Sequence, residues 1–214
     1  MTRVSGWWIV AALLLAPVLL GAGPPTPTAS DTLESARGLA ARLRSGGRAE
    51  AVVERRARDA FTGQWRSIRG RIALEPPDRA QLEFPASGER IALRAEGGEW
   101  LQPALGQMLR LGPANAAAAR RWWELLLPGA GARFAEVRLG GGRFAVVRRE
   151  EVAGGADTAR VTLDPHGLPA QLEYHVEGGE QVAYRLSAWR FSRARGRSAF
   201  VIQAPESLQV VDLP

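Results

Sequence analysis

The residues able to do covalent or metal chemistry in this chain are few, and their spacing decides what that chemistry could be. There are 2 histidines, His166 and His175. His166 lies in Asp164-Pro165-His166-Gly167, a β-turn sequence in which an imidazole is solvated. His175 sits on an alternating run and points away from its neighbours Tyr174 and Val176. Zinc needs several nitrogen, sulfur or carboxylate ligands at a set spacing. With 0 cysteines and no second histidine at ligand spacing, no metal site is expected. The missing cysteine also removes disulfides, a thiol nucleophile and any residue for lipid attachment after export. A serine nucleophile would call for a G-x-S-x-G elbow, which does not occur. Gly140-Gly141-Gly142 lacks the lysine and following helix of a phosphate loop, so it reads as a hairpin turn. Glu150 and Glu151 point to opposite faces of one strand among arginines, a pattern of solvated ion pairs. The chain is expected to have no catalytic residue, no metal and no cofactor.

What the chain has in quantity is apolar surface in ordered patterns. Its 214 residues are 46% hydrophobic and 23% charged, enough for one domain with a real core. The formal charge is +6, and every basic residue is arginine. These arginines are spread along the sequence with no basic block, so nucleic acid is not an expected partner. Met1-Thr2-Arg3 gives a positive start, Trp7 to Leu20 is an uncharged apolar run, and Gly21-Ala22-Gly23 supplies small residues. That is the plan of a secretory signal peptide, and the run falls short of the ~20 apolar residues of a membrane span. The expected organisation is a signal peptide over 1–23, a disordered leader over 24–30 and one domain over 31–214. Cleavage follows Gly23 or Ser30. The mature protein is then expected to be exported and, where it handles lipid, to do so as a soluble body.

Two helices and about ten strands are expected. Asp31 to Ser45 reads as an amphipathic helix, with Asp31 and Glu34 as a capping box and Gly46-Gly47 as its stop. Leu33, Ala36, Leu39, Ala40 and Leu43 form its apolar stripe. Arg48 to Phe61 fits helix and strand equally well. Gly70 to Phe84 is strand, proline turn, strand: Ile72 and Leu74, then Ala80, Leu82 and Phe84, share one face. Arg71, Ala73, Glu75, Arg79, Gln81 and Glu83 share the other, taken as the wet face. Ile91, Leu93, Trp100 and Met108 continue the meander, with Gly or Pro at each corner. Ala114 to Leu127 is expected as a second helix, capped by Asn115 and ending in Trp122, Trp123, Leu125, Leu126 and Leu127. Adjacent residues on a helix point ~100° apart, so one Trp should face inward and one lie at a rim. Strands over Phe134–Leu139, Arg143–Glu151, Ala159–Leu163, Leu168–Val176, Gln181–Arg193 and Phe200–Gln203 complete an α+β chain. A single antiparallel sheet of this length must curl, and the helices either fill its concave side or leave a cavity there.

This order of parts resembles LolA, the family of periplasmic carriers of outer-membrane lipoproteins. The matches are G-x-I-x-L-x-x-P at Gly70, Ile72, Leu74 and Pro77, Gly97-Gly98 with Trp100, the Leu163-Asp164 to Gly167 turn, and Phe200 to Asp212. The resemblance implies an unclosed, strongly curved antiparallel half-barrel with helices over its mouth and an apolar cavity for acyl chains. It implies a monomer with an acylated lipoprotein or lipid ligand, an inner-membrane donor complex and an outer-membrane receptor. It makes Arg48–Phe61 mostly the first strand, and Asp31–Ser45 and Ala114–Leu127 parts of a lid. The cavity positions it implies are Ile72, Leu74, Leu82, Phe84, Ile91, Leu93, Trp100, Met108, Trp122, Trp123 and Leu126, with Leu39 and Leu43 on the lid. The family carries an arginine before the proline of its G-x-I-x-L segment, and this chain has Pro76 there. Either lid control passes to Arg71 or Arg79, or the ligand is not the usual lipoprotein; a divergent paralogue is expected. The alternative use of the same fold is a regulatory module that senses lipid or lipoprotein. A secreted lipid- or glycan-acting enzyme is the weakest reading, for want of a nucleophile and base.

Overall fold

The computed structural model describes residues 31–58, 63–149, 158–175 and 181–214. The expected signal peptide and leader, together with Phe61, Thr62, Glu150, Glu151 and Val176, lie outside the described residues. Among the described residues twelve strands form one sheet. In chain order they are β1 (Arg48–Arg58), β2 (Trp65–Glu75), β3 (Arg79–Phe84), β4 (Glu89–Arg94), β5 (Gly97–Gln102) and β6 (Gln107–Leu111). The second half holds β7 (Phe134–Gly140), β8 (Arg143–Arg148), β9 (Thr158–Leu163), β10 (Pro169–His175), β11 (Gln181–Ser192) and β12 (Gln209–Leu213). Across the sheet the order is β12-β6-β5-β4-β3-β2-β1-β11-β10-β9-β8-β7. Two meanders thus meet where β1 pairs with β11, and among the described residues β12 and β7 are left as unpaired edges: the barrel is open. All neighbours are antiparallel except β12, which runs parallel to β6.

The local chemistry explains the corners. Pro76 and Pro77 end β2 because neither can donate to the ladder. Gly140, Gly141 and Gly142 all take positive φ in the β7–β8 turn, which favours residues without Cβ. In the β9–β10 turn the Asp164 carboxylate accepts the His166 and Leu168 N–H groups, each at 2.8 Å. A bulge shifts the β1–β11 register between Glu50 and Val52, opposite Ala188 at φ 52°. It lets Tyr184 and Leu186, before it, and Phe191, after it, serve the same face.

Two helical segments lie on the concave side. Helix α1 (Arg37–Gly46) follows a 3-10 turn over Glu34–Ala36 and ends at Gly47 in the left-handed conformation. The expected capping box does not form. The Glu34 and Ser35 N–H groups instead donate to the two carboxylate oxygens of Glu136 on β7, so a distant strand caps this end. Helix α2 (Pro113–Arg120) is shorter than expected and has no side-chain cap. Asn115 donates instead to the carbonyl of Pro214. After Arg120 the chain continues through turns and 3-10 segments over Glu124–Leu126 and Ala130–Ala132. The whole stretch from Pro113 to Ala132 bridges the concave mouth from β6 to β7. One hydrophobic cluster joins α1, this stretch and both halves of the sheet.

The convex side is covered too, contrary to the expectation of a wet face. Phe200–Gln203 is not a strand. Residues 193–208 run as a strap across β3 and β4, placing Phe200 in a 3-10 turn with no exposure. Ile202 joins Ala92, Leu101 and Met108 in a second apolar cluster. Glu75 is wholly buried beneath the strap: it accepts from Arg48 at 2.9 Å and from the Arg195 and Gly196 N–H groups at 2.8 and 3.2 Å. No helix among the described residues is long and apolar enough to cross a membrane.

Candidate functional site

Antiparallel partners share a face, so the registers assign each candidate side chain to one side of the sheet. Ile72, Leu82, Ile91 and Trp100 are successive partners across β2 to β5 and form one concave row. Leu74, Ala80 and Leu93 form the next row, and Phe84 lies beside Gly70. Ile72, Leu74, Leu82, Phe84 and Leu93 have 1% exposure or less, and Ile91 and Trp100 are half-buried. Leu39 and Leu43 of α1, with Trp122, Trp123 and Leu126, enter the same cluster from the covering segments. The helices fill the concave side in this structure. Each fully buried Leu or Ile there contributes ~1.5–3 kcal/mol to keeping it closed.

Both tryptophans face inward. The helical argument for one at a rim fails because α2 has already ended, and turn geometry aims both rings at the sheet. Trp122 stacks on Tyr174 with centroids 5.4 Å apart, and Trp123 meets Tyr184 edge-on at 4.7 Å. Tyr174 and Tyr184 stack on each other at 6.0 Å. The result is an aromatic ladder running from the covering stretch to the floor.

The floor holds a polar cluster that pattern reading missed. Arg55 on β1 makes a forked pair with Glu89 at 2.8 and 3.2 Å, and Trp100 Nε1 donates to the same carboxylate at 3.0 Å. The Arg55 guanidinium lies 4.5 Å from the Phe84 ring centre. Burial opposes the charge on Arg55, but the bond to Glu89 and the negative charge nearby outweigh it and raise its pKa. Burial pushes the Tyr184 phenol above its ordinary 10.0, against the opposing effects of the Tyr174 bond and the Arg55 charge. The available signal was weak: Arg55 interrupts the alternation Ala49, Ala51, Val53 and so occupies an inward position.

Arg71 and Arg79 both lie on the convex side. Arg71 is exposed on the convex face opposite Glu83. Arg79 donates to the Pro76 carbonyl at 2.9 Å and lies near Phe200, under the strap. Neither touches a covering helix among the described contacts. Met108 is also convex: it pairs with Leu101, one residue out of step with the Trp100–Leu109 row, and packs on Ile202. The covering stretch is tied down by Arg120. Its Nε donates to Glu124 at 2.8 Å, and its Nη1 donates to the carbonyl of Arg94 at the β4–β5 corner. Arg133 approaches the other Glu124 oxygen at 3.4 Å. An Arg and a Glu four apart, set among apolar residues, is the pattern that marks such a buried pair. Among the described residues no group of three His, Asp or Glu could hold a metal.

No family model matches the sequence, and no curated protein matches it. The solved structures it is similar to include an uncharacterized conserved protein from Thermus thermophilus, at 16% identity and a TM-score of 0.45 over 84% of this chain and 99% of that one. A LolA superfamily protein from Nitrosomonas europaea matches at 12% identity and a TM-score of 0.46, over 78% of this chain and 97% of that one. A putative outer membrane lipoprotein-sorting protein domain from Vibrio parahaemolyticus matches at 15% identity and a TM-score of 0.43, over 80% and 97%. Overlaps this loose leave the reading of the site to its own geometry.

Proposed function

We propose that this protein is a divergent member of the LolA type: an exported, non-enzymatic carrier that holds the acyl chains of a lipoprotein or another lipid against its concave face. The observation that carries this reading is the kind of cover the face has. An apolar sheet interior is closed by one short helix and one irregular stretch, next to two unpaired sheet edges. Such segments can swing away without breaking a strand ladder. An acyl chain entering beneath them gains ~0.8 kcal/mol per buried CH₂. For a chain of about sixteen carbons that is on the order of 12 kcal/mol. Displacing three or four large apolar side chains costs ~1.5–3 kcal/mol each, so the exchange balances closely enough to be reversible. A transporter at the inner membrane as donor and an outer-membrane receptor complete this reading.

The test is native mass spectrometry of the protein purified from a periplasm, followed by uptake of a fluorescent fatty acid. Bound lipid or lipoprotein, and saturable uptake displaced by natural acyl chains, is the expected result. Repeatedly ligand-free protein that takes up no acyl probe would sink the reading.

A further inference from the structure

The convex face carries a feature that the acyl reading does not use. A groove of ≈ 550 Å³ opens between the central strands and the strap. Ala73, Val52, Ala188 and Ala199 line it, and such small side chains leave it depth. Five arginines border it, Arg48, Arg71, Arg90, Arg190 and Arg195, against two glutamates, Glu50 and Glu83. Two of the five are already partnered: Arg48 bonds Glu50 and Glu75, and Arg90 pairs with Glu83 at 3.2 Å. The side chains of Arg71, Arg190 and Arg195 are exposed and have no ion pair or hydrogen bond among the described residues. Their backbones are nonetheless fixed. Arg71 is in register between Val52 and Glu83, Arg190 stands opposite Glu50 just past the bulge, and the Arg195 N–H is held by Glu75.

A guanidinium stays charged and presents five donors in a rigid fork. A carboxylate offers roughly four acceptor sites, which two forks saturate. Three unpaired forks around one groove suit an anion with more oxygens, and phosphate fits that geometry. Small-molecule sites typically have ~300–1,000 Å³, a range that includes this groove. We propose that the convex groove binds a phosphate group, carried by a small phosphate-bearing molecule or by an anionic phospholipid headgroup.

The test uses the exported protein with pyrophosphate by titration calorimetry, and with phosphatidylglycerol or phosphatidylcholine vesicles by co-sedimentation. Wild type should bind pyrophosphate saturably, and R71Q/R190Q/R195Q should bind about tenfold more weakly. R37Q/R143Q/R160Q removes the same charge from exposed positions elsewhere and should bind as wild type does. Retention on phosphatidylglycerol but not phosphatidylcholine, lost in the first triple variant, identifies a headgroup as the source. Pyrophosphate binding without vesicle binding identifies a free phosphate. Wild type that binds neither probe, or equal weakening in both triple variants, overturns the proposal. Acyl-probe uptake should be the same in all three proteins, which separates this outcome from that of the carrier reading.

Discussion

Replacing Arg120 with methionine removes the tie between the covering stretch and the sheet. Arg120 and Glu124 have side-chain exposures of 7% and 5%, so this is a buried pair. Removing one partner of such a pair costs ~3–5 kcal/mol, because the other charge stays buried. Glu124 keeps Arg133, whose side chain is 42% exposed, and that moves the expectation toward the lower end. The Arg94 carbonyl also loses its donor, a loss of ~1–3 kcal/mol where no water replaces it. Together these place R120M at about 4–6 kcal/mol less stable in urea unfolding. R120M/E124L removes both charges and fills the space with apolar groups, so it should recover most of that loss. If the stretch is a lid, R120M should also take up an acyl probe faster than wild type. An R120M protein within about 1 kcal/mol of wild type, or a double variant as unstable as the single one, would refute the assignment of Arg120 as the tie.

Four further outcomes are expected. Glu75→Gln should lose about 3 kcal/mol and expose the strap to protease near Arg193–Arg197, since it leaves Arg48 buried without its charge partner. Glu136→Gln should cost ~1 kcal/mol and speed hydrogen exchange at Glu34 and Ser35, because its carboxylate caps both N–H groups. Gly70→Ala should destabilise strongly: its Cβ would meet the Glu83 carbonyl and lie 2.7 Å from Phe84 Cδ1, so the β2–β3 pair would have to part. Tyr184 keeps its proton in the folded state above 10.0, whereas the unfolded phenol releases it near that value. Stability contributed by the protonated phenol is therefore complete below pH 10 and is lost as pH rises toward the folded pKa. Absorbance at alkaline pH should show Tyr184 ionising late, and Tyr184→Phe should flatten the alkaline loss of stability.

The parts of the fold set by alternation were legible in the sequence, and the parts set by covering segments were not. Period two in Gly70–Phe84 puts Ile72, Leu74, Ala80 and Leu82 on one face, and the pairs Ile72–Leu82 and Leu74–Ala80 lie on one face. The same periodicity makes Glu75 look solvated, because it says nothing of a strap that arrives 120 residues later to bury it. Phe200–Gln203 looks like a strand for a related reason: an apolar run that packs across a sheet alternates like one that pairs within it. The resemblance puts Met108 in the cavity, but its register with Leu101 turns it to the strap. The paired tryptophans were placed with helical geometry that stops at Arg120. The Arg55–Glu89 pair depends on residues 34 apart in sequence, and nothing in either local pattern announces it.

The corner that Pro76 occupies is also where the strap is held. An arginine at that corner would sit in a proline turn beside Glu75, Arg48 and Arg79, a corner already committed to holding the strap. The tie to the covering stretch lies instead at the neighbouring β4–β5 corner, on Arg94. Its carbonyl accepts Arg120 from the concave side, while its guanidinium forks onto Glu99 and donates to the Phe200 carbonyl of the strap. One residue therefore touches the covers of both faces. The bond to Glu99, ahead of the opposing burial, raises the Arg94 pKa and keeps the charge fixed. Substituting Arg94 should loosen the strap and the covering stretch together, whereas Arg120→Met should loosen the covering stretch alone. Arg94 thus contacts the covers of both faces, whereas the described contacts of the Pro76 corner are with the strap.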